Sequence, residues 1–110
     1  PRYGEIVILD IPDRTGPPLI KRVIGLPGDT VEIRSGAVYV NARQLTEPYL
    51  NQLTAGSFGP VLVPEEHVFV LGDNRCCSND SRYFGTVPFD SILGRAWLSY
   101  WPPEQLGILR

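Results

Sequence analysis

Eleven glycines and eleven prolines divide the 110 residues into short apolar runs, and no long stretch between them carries a clean 3.6-residue period. That punctuation predicts an almost entirely β chain of short strands joined by tight turns. Six runs qualify as strands: Glu5 to Leu9, Leu19 to Ile24, Thr30 to Arg34, Ala37 to Val40, His67 to Leu71 and Ile92 to Tyr100. The expected fold is all-β, a coiled antiparallel sheet or barrel-like sandwich. Ser35-Gly36 reads as a hairpin turn between two of the runs, with glycine supplying a positive φ. A second turn at Asn41-Ala42 puts an alanine where a positive φ costs about 1 kcal/mol. Residues 46–63 have few strand signals and read as a loop with a short excursion. A chain of this length buries one core, so residues 1–110 are expected to form a single domain.

Ten basic and twelve acidic residues give a net charge of -2, which leaves no basic face for nucleic acid or for charge-driven recruitment to a membrane. No apolar run reaches the roughly 20 residues that span a bilayer, and no signal peptide opens the chain, so it is expected to be soluble as it stands. There is no methionine, which suggests a processed or truncated piece of a longer product.

Strand alternation sets Leu19, Lys21 and Val23 on one face and Ile20, Arg22 and Ile24 on the other. Each face is apolar but for one basic residue. On its own this pattern allows two readings of Lys21. Its ammonium snorkels to water along an aliphatic stem, or burial disfavours the charged form and leaves a neutral amine able to act as a general base. Arg22, on the other face, reads as structural, an ion-pair partner for a carboxylate. Leu26-Pro27-Gly28-Asp29 follows as a turn on any reading.

The block from Gly72 to Gly85 sits directly after the apolar run Val68-Phe69-Val70-Leu71. Its composition alone suits a solvated loop. Its content also suits a rigid network: Asp73, Asp80, Arg75 and Arg82 can neutralise one another, while Asn74, Ser78 and Ser81 supply hydrogen bonds to the backbone. Cys76 and Cys77 are adjacent, with Cα atoms about 3.8 Å apart against the roughly 4.4 to 6.8 Å usual for a disulfide, so two free thiols are expected. A cysteine nucleophile paired with His67 is conceivable, but no carboxylate or amide is evidently placed to orient the imidazole. One histidine and two cysteines fall short of a zinc site, and no cofactor is implied.

Taken together, Ile20-Lys21-Arg22-Val23-Ile24-Gly25-Leu26-Pro27-Gly28-Asp29 and Gly72-Asp73-Asn74-Arg75…Ser78-Asn79-Asp80-Ser81-Arg82 resemble the lysine box and the Gly-Asp-Asn-Arg box of type I signal peptidases. These are membrane-anchored serine/lysine proteases that clip leader peptides from exported proteins. Arg2-Tyr3-Gly4-Glu5-Ile6-Val7 and Gly94-Arg95-Ala96-Trp97 extend the resemblance over nearly the whole chain, although Tyr3 is inserted and Cys76-Cys77 replaces the common Asp-Asn. The resemblance implies that Lys21 is the general base, that Ser78 orients its amine, and that Asp80 and Arg82 brace the loop. It places the nucleophilic serine upstream of Pro1, since the first serine here is Ser35, beyond the lysine box. An oxyanion hole built around that serine is then expected to be incomplete, and the 110 residues alone to be inactive. It further implies an anchor in the intact protein, a catalytic domain on the extracytoplasmic side, leader peptides as substrates, and aromatics such as Trp101 against lipid headgroups. Two other classes fit less of the sequence: a self-cleaving repressor with a similar serine/lysine pair, and a non-catalytic peptide-binding β module.

Overall fold

The computed structural model describes residues 1–10, 16–45, 54, 56–73, 75 and 79–96. These form two antiparallel sheets. The five-stranded sheet runs in the order β8 (Val87–Pro88), β7 (His67–Leu71), β2 (Leu19–Gly25), β1 (Ile6–Leu9), β9 (Ile92–Ala96). The four-stranded sheet runs β5 (Arg43–Gln44), β4 (Ala37–Val40), β3 (Thr30–Arg34), β6 (Phe58–Leu62). The all-β, antiparallel expectation is met, and a single turn of helix, α1 (Ser81–Phe84), interrupts it inside the polar block.

Both faces of β2 and β7 are buried. Ile24, Phe69 and Leu71 face the second sheet and close a core with Val31, Ile33, Val38 and Val63. Val7, Leu9, Val23, Val68 and Val70 line the opposite face, where Val87 joins them and Phe84, Phe89 and Leu26 pack on top. Strands buried on both sides read as continuous apolar runs rather than as alternation, which is why Val68 to Leu71 contains no polar residue. The sheets come close together at Gly25, where an added Cβ would lie 2.7 Å from a methyl of Val31.

One expectation needs correcting. Residues 58–62, inside the stretch expected to be loop, form β6 and pair with β3 through Thr30↔Leu62 and Val31↔Val61. Gly59 and Pro60 read as turn signals, but β6 lies at the edge of its sheet, where a proline without an N–H costs no ladder hydrogen bond. Residues 46–53 lie outside the described residues, as do residues 97–100 of the expected last strand.

The Leu26–Asp29 turn joins the sheets. Gly28 takes φ 88° and the Asp29 N–H donates to Leu26 O at 3.0 Å. The Asp29 carboxylate accepts from the Tyr3 hydroxyl, from the Leu26 N–H at 2.8 Å and from Asn41 Nδ2 at 2.8 Å. Burial acts to raise its pKa, but the three donors outweigh it and hold the group below its usual value. The same hydrogen bond, with burial and the Asp29 charge, pushes the Tyr3 hydroxyl up to about 12. Asn41 sits at φ 53° and Ala42 at φ 67°, so the strained alanine expected at that turn is present.

Candidate active site

Lys21 lies in the middle of β2, paired with Val7 of β1, and its neighbour on the same face is Val23. Its side chain is 1% exposed, and Val7 and Val23 are fully buried. The snorkelling alternative is therefore excluded, because the amine ends inside the protein rather than in water. Among the described residues, no buried side-chain nitrogen or oxygen lacks a hydrogen-bond partner.

Arg22 points to the other side of the strand, as alternation requires, and finds the expected carboxylate. Its Nε lies 3.0 Å from Asp73 Oδ1 and its Nη2 2.7 Å from Asp73 Oδ2, a two-pronged pair buried at both ends. Nη1 donates to Gly4 O at 2.9 Å, so one guanidinium clamps the lysine strand, the chain entering β1 and the start of the polar block. Removing one member of such a buried pair costs about 3–5 kcal/mol, because the other charge is left uncompensated.

The described residues of the polar block form a network rather than a solvated loop. The Asp80 carboxylate caps α1 by accepting the Arg82 N–H at 3.1 Å. It also accepts Arg82 Nε at 2.9 Å and Nη2 at 2.8 Å, and the Gly72 N–H at 3.0 Å. Arg82 Nη1 reaches back to Arg75 O at 2.6 Å. Arg75 is completely buried, with Nε donating to Gly72 O at 2.7 Å and Nη1 to Thr54 Oγ1 at 3.2 Å. Ser81 accepts the Val70 N–H at 2.9 Å, fastening α1 to β7. The four charges of the block pair with one another, Arg82 with Asp80 and Arg75 with Asp73, and Arg22 joins them from outside. Asp73 takes its short partner, Arg22, from the lysine strand and stands 3.9 Å from Arg75 Nη2.

A sequence model of the signal peptidases, peptidase S26, matches residues 1–101. The chain belongs to the signal peptidase family. Among its relatives, the probable signal peptidase I-2 of Synechocystis sp. is 45% identical over 114 residues, covering 99% of this chain and 52% of that protein. Signal peptidase I of Leptolyngbya laminosa is 41% identical over 116 residues, covering 99% of this chain and 57% of its own length. The chain thus spans somewhat more than half the length of these relatives. The crystal structure of a signal peptidase I from Enterococcus faecalis V583 superposes with a TM-score of 0.76 at 38% identity, covering 87% of this chain and 96% of that one.

For this signal peptidase chain, Lys21, Arg22, Asp73, Arg75, Asp80, Ser81 and Arg82 fall in β2 and in the block that follows β7, its neighbour in the sheet. Asn74 and Ser78, and with them Cys76 and Cys77, lie outside the described residues. So do Trp97, Tyr100 and Trp101; of the other aromatics, Phe84 packs on the core and Tyr83 is 76% exposed. His67 opens β7 with Nδ1 2.8 Å from Glu65 O, a backbone partner rather than a carboxylate. Among the described residues no cluster of His, Cys, Asp and Glu could hold a metal ion, and no helix is long and apolar enough to cross a membrane. Two participants escaped sequence reasoning. Gly4 acts only through its backbone, its carbonyl accepting from Arg22 and its N–H donating to Val23 O, and Thr54 is a hydroxyl in a stretch without pattern, so neither gives a sequence signal.

Proposed function

We propose that this chain supplies the general-base side of a serine endopeptidase that removes leader peptides from exported preproteins. The observation that carries this reading is the amine of Lys21, buried at 1% exposure on a valine-lined face, one residue from the arginine that locks its strand to the Gly72–Gly85 block. Burial disfavours an ammonium, and an amine that is neutral near operating pH can accept a proton. Lys21 takes the proton of a serine hydroxyl, placed by the family resemblance upstream of Pro1, as its oxygen attacks the scissile carbonyl. The resulting ammonium protonates the leaving amine. Lys21 then deprotonates the water that releases the acyl group. Ser78 orients the amine, while Asp80 and Arg82 hold the segment that bears it. Membrane anchoring and an extracytoplasmic active site belong to the same reading, and its substrates are membrane-inserted leaders with small residues at the cleavage site.

The test uses a protein extended upstream to include the serine, assayed on a leader peptide. Lys21→Ala should reduce turnover by about 10²–10⁴-fold, the range of a general base. Ser78→Ala should raise the barrier by about 1–3 kcal/mol with KM little changed. Turnover that survives Lys21→Ala removes the proposed base, and unchanged turnover in Ser78→Ala makes that serine a loop residue.

A further inference from the structure

The chain enters β1 through a turn at residues 2–5. The Glu5 N–H donates to Arg2 O at 3.2 Å, and Gly4, at φ 76°, takes the left-handed position that a type II turn demands. The Gly4 N–H then donates to Val23 O at 2.8 Å while the Val23 N–H donates to Glu5 O at 2.8 Å, so Gly4 and Glu5 together face a single residue of β2. That is a glycine bulge, which ends regular pairing and redirects a strand. Val23 is fully buried and shares a strand face with Lys21, whose partner across the ladder is Val7. Tyr3, the remaining residue of the turn, donates its hydroxyl to the Asp29 carboxylate. Asp29 is itself fixed to the second sheet, through Asn41 Nδ2 on its side chain and the Val63 N–H at 2.8 Å from its carbonyl.

We infer that Tyr3 is a positioning residue, whose hydroxyl latches the bulged turn onto the turn between the sheets and so keeps the β1–β2 ladder closed beside Lys21. The inference rests on the general-base role proposed above for Lys21. Its physical basis is where the latch sits. Beyond Ile6↔Arg22 the ladder ends in the bonds of the bulge, and strands open first at such ends. Arg22 also holds the turn, through Gly4 O, but it grips from β2 itself. Tyr3 instead ties the turn to Asp29, and through it to the second sheet. Without that tie the ladder opens from Val23, and water reaches the peptide groups two residues from Lys21. Hydration favours the ammonium over the neutral amine that accepts a proton.

The experiment compares full-length wild type, Tyr3→Phe, Tyr3→Ala and Gly4→Ala. Phenylalanine keeps the ring and removes only the hydroxyl. In Tyr3→Phe, hydrogen exchange at the Gly4 and Val23 amides should quicken by about three- to tenfold, while the amides of β7 keep their protection. In active-site-titrated enzyme, kcat should fall by about three- to tenfold with KM changed less than about twofold. The rising limb of the pH profile should move up by about half a unit, as the Lys21 amine is hydrated. Gly4→Ala, which places a Cβ at positive φ inside the bulge, should move the limb the same way with the Tyr3 hydroxyl in place. Wild-type exchange at Gly4 and Val23 in Tyr3→Phe overturns the latch. So does an impaired Tyr3→Ala beside a wild-type Tyr3→Phe, because the ring and not the hydroxyl is then what holds the turn. Faster exchange with kcat and pH limb unchanged overturns the positioning role. Should either alanine variant not fold, Tyr3→Phe decides alone. The exchange result needs no turnover, so it separates this inference from the functional reading, which fails instead if Lys21→Ala still cleaves.

Discussion

Tyr3 gives the fold a pH signature. Its hydroxyl keeps its proton to about pH 12 in the folded protein, against 10.0 for an ordinary tyrosine, chiefly because it donates to Asp29. Between those values the folded state binds more protons than the unfolded one, so stability falls as pH rises. The contribution is therefore complete below pH 10 and lost by about pH 12. Asp29 gives the mirror case, a contribution present above its ordinary value of 3.8 and lost as pH falls through its depressed folded value. Tyr3→Phe should be less stable than wild type at neutral pH, and the two stability curves should converge as pH climbs from 10 to 12. Tyr3 is 54% exposed, so solvent screening makes the difference small, and denaturant melts at closely spaced pH values are the measurement to make. Parallel curves would show that the hydroxyl contributes nothing.

Among the elements, the β4–β5 hairpin has a sequence at odds with its conformation. Ala42 is exposed and sits at φ 67°, where a Cβ costs about 1–2 kcal/mol. Glycine removes that cost but loosens the unfolded chain by about 0.4–1 kcal/mol. The steric effect is the larger, so Ala42→Gly should stabilise the protein by about 0.5–1 kcal/mol, read as a shift in denaturant midpoint at constant slope. The neighbouring elements show what a sequence discloses. The β3–β4 hairpin was legible because Ser35-Gly36 stands between two alternating runs, and the observed φ values of 51° and 84° are those of such a turn. Strand β6 was not, because glycine and proline carry the same local signal at a sheet edge as in a loop. Single-turn α1 was hidden for another reason: its cap, Asp80, looked like one more member of a charge cluster.

For the molecule as a whole, the core between the sheets should make them unfold together. Val31 is fully buried there and its methyl meets the backbone of β2 at Gly25. Val31→Ala should cost about 2–4 kcal/mol by leaving a cavity that neither sheet can collapse into. Exchange protection in β7 and in β3 should then drop by the same amount; a drop confined to β3 would mean that the sheets open separately. The candidate site was legible wherever charge broke a strand's apolar pattern, as at Lys21 and Arg22. It was illegible where a partner is fixed only by the fold, as in the pairing of Asp73 with Arg22 and of Arg75 with Thr54. The consecutive order of Lys21 and Arg22 also gives β2 a means of rejecting misfolded pairings. A slip of one residue against β1 would exchange them, driving a five-donor guanidinium into the valine-lined face and offering Asp73 a single ammonium in place of a planar fork. Both errors are costly at once, so the strand that carries the proposed base also proofreads its own alignment.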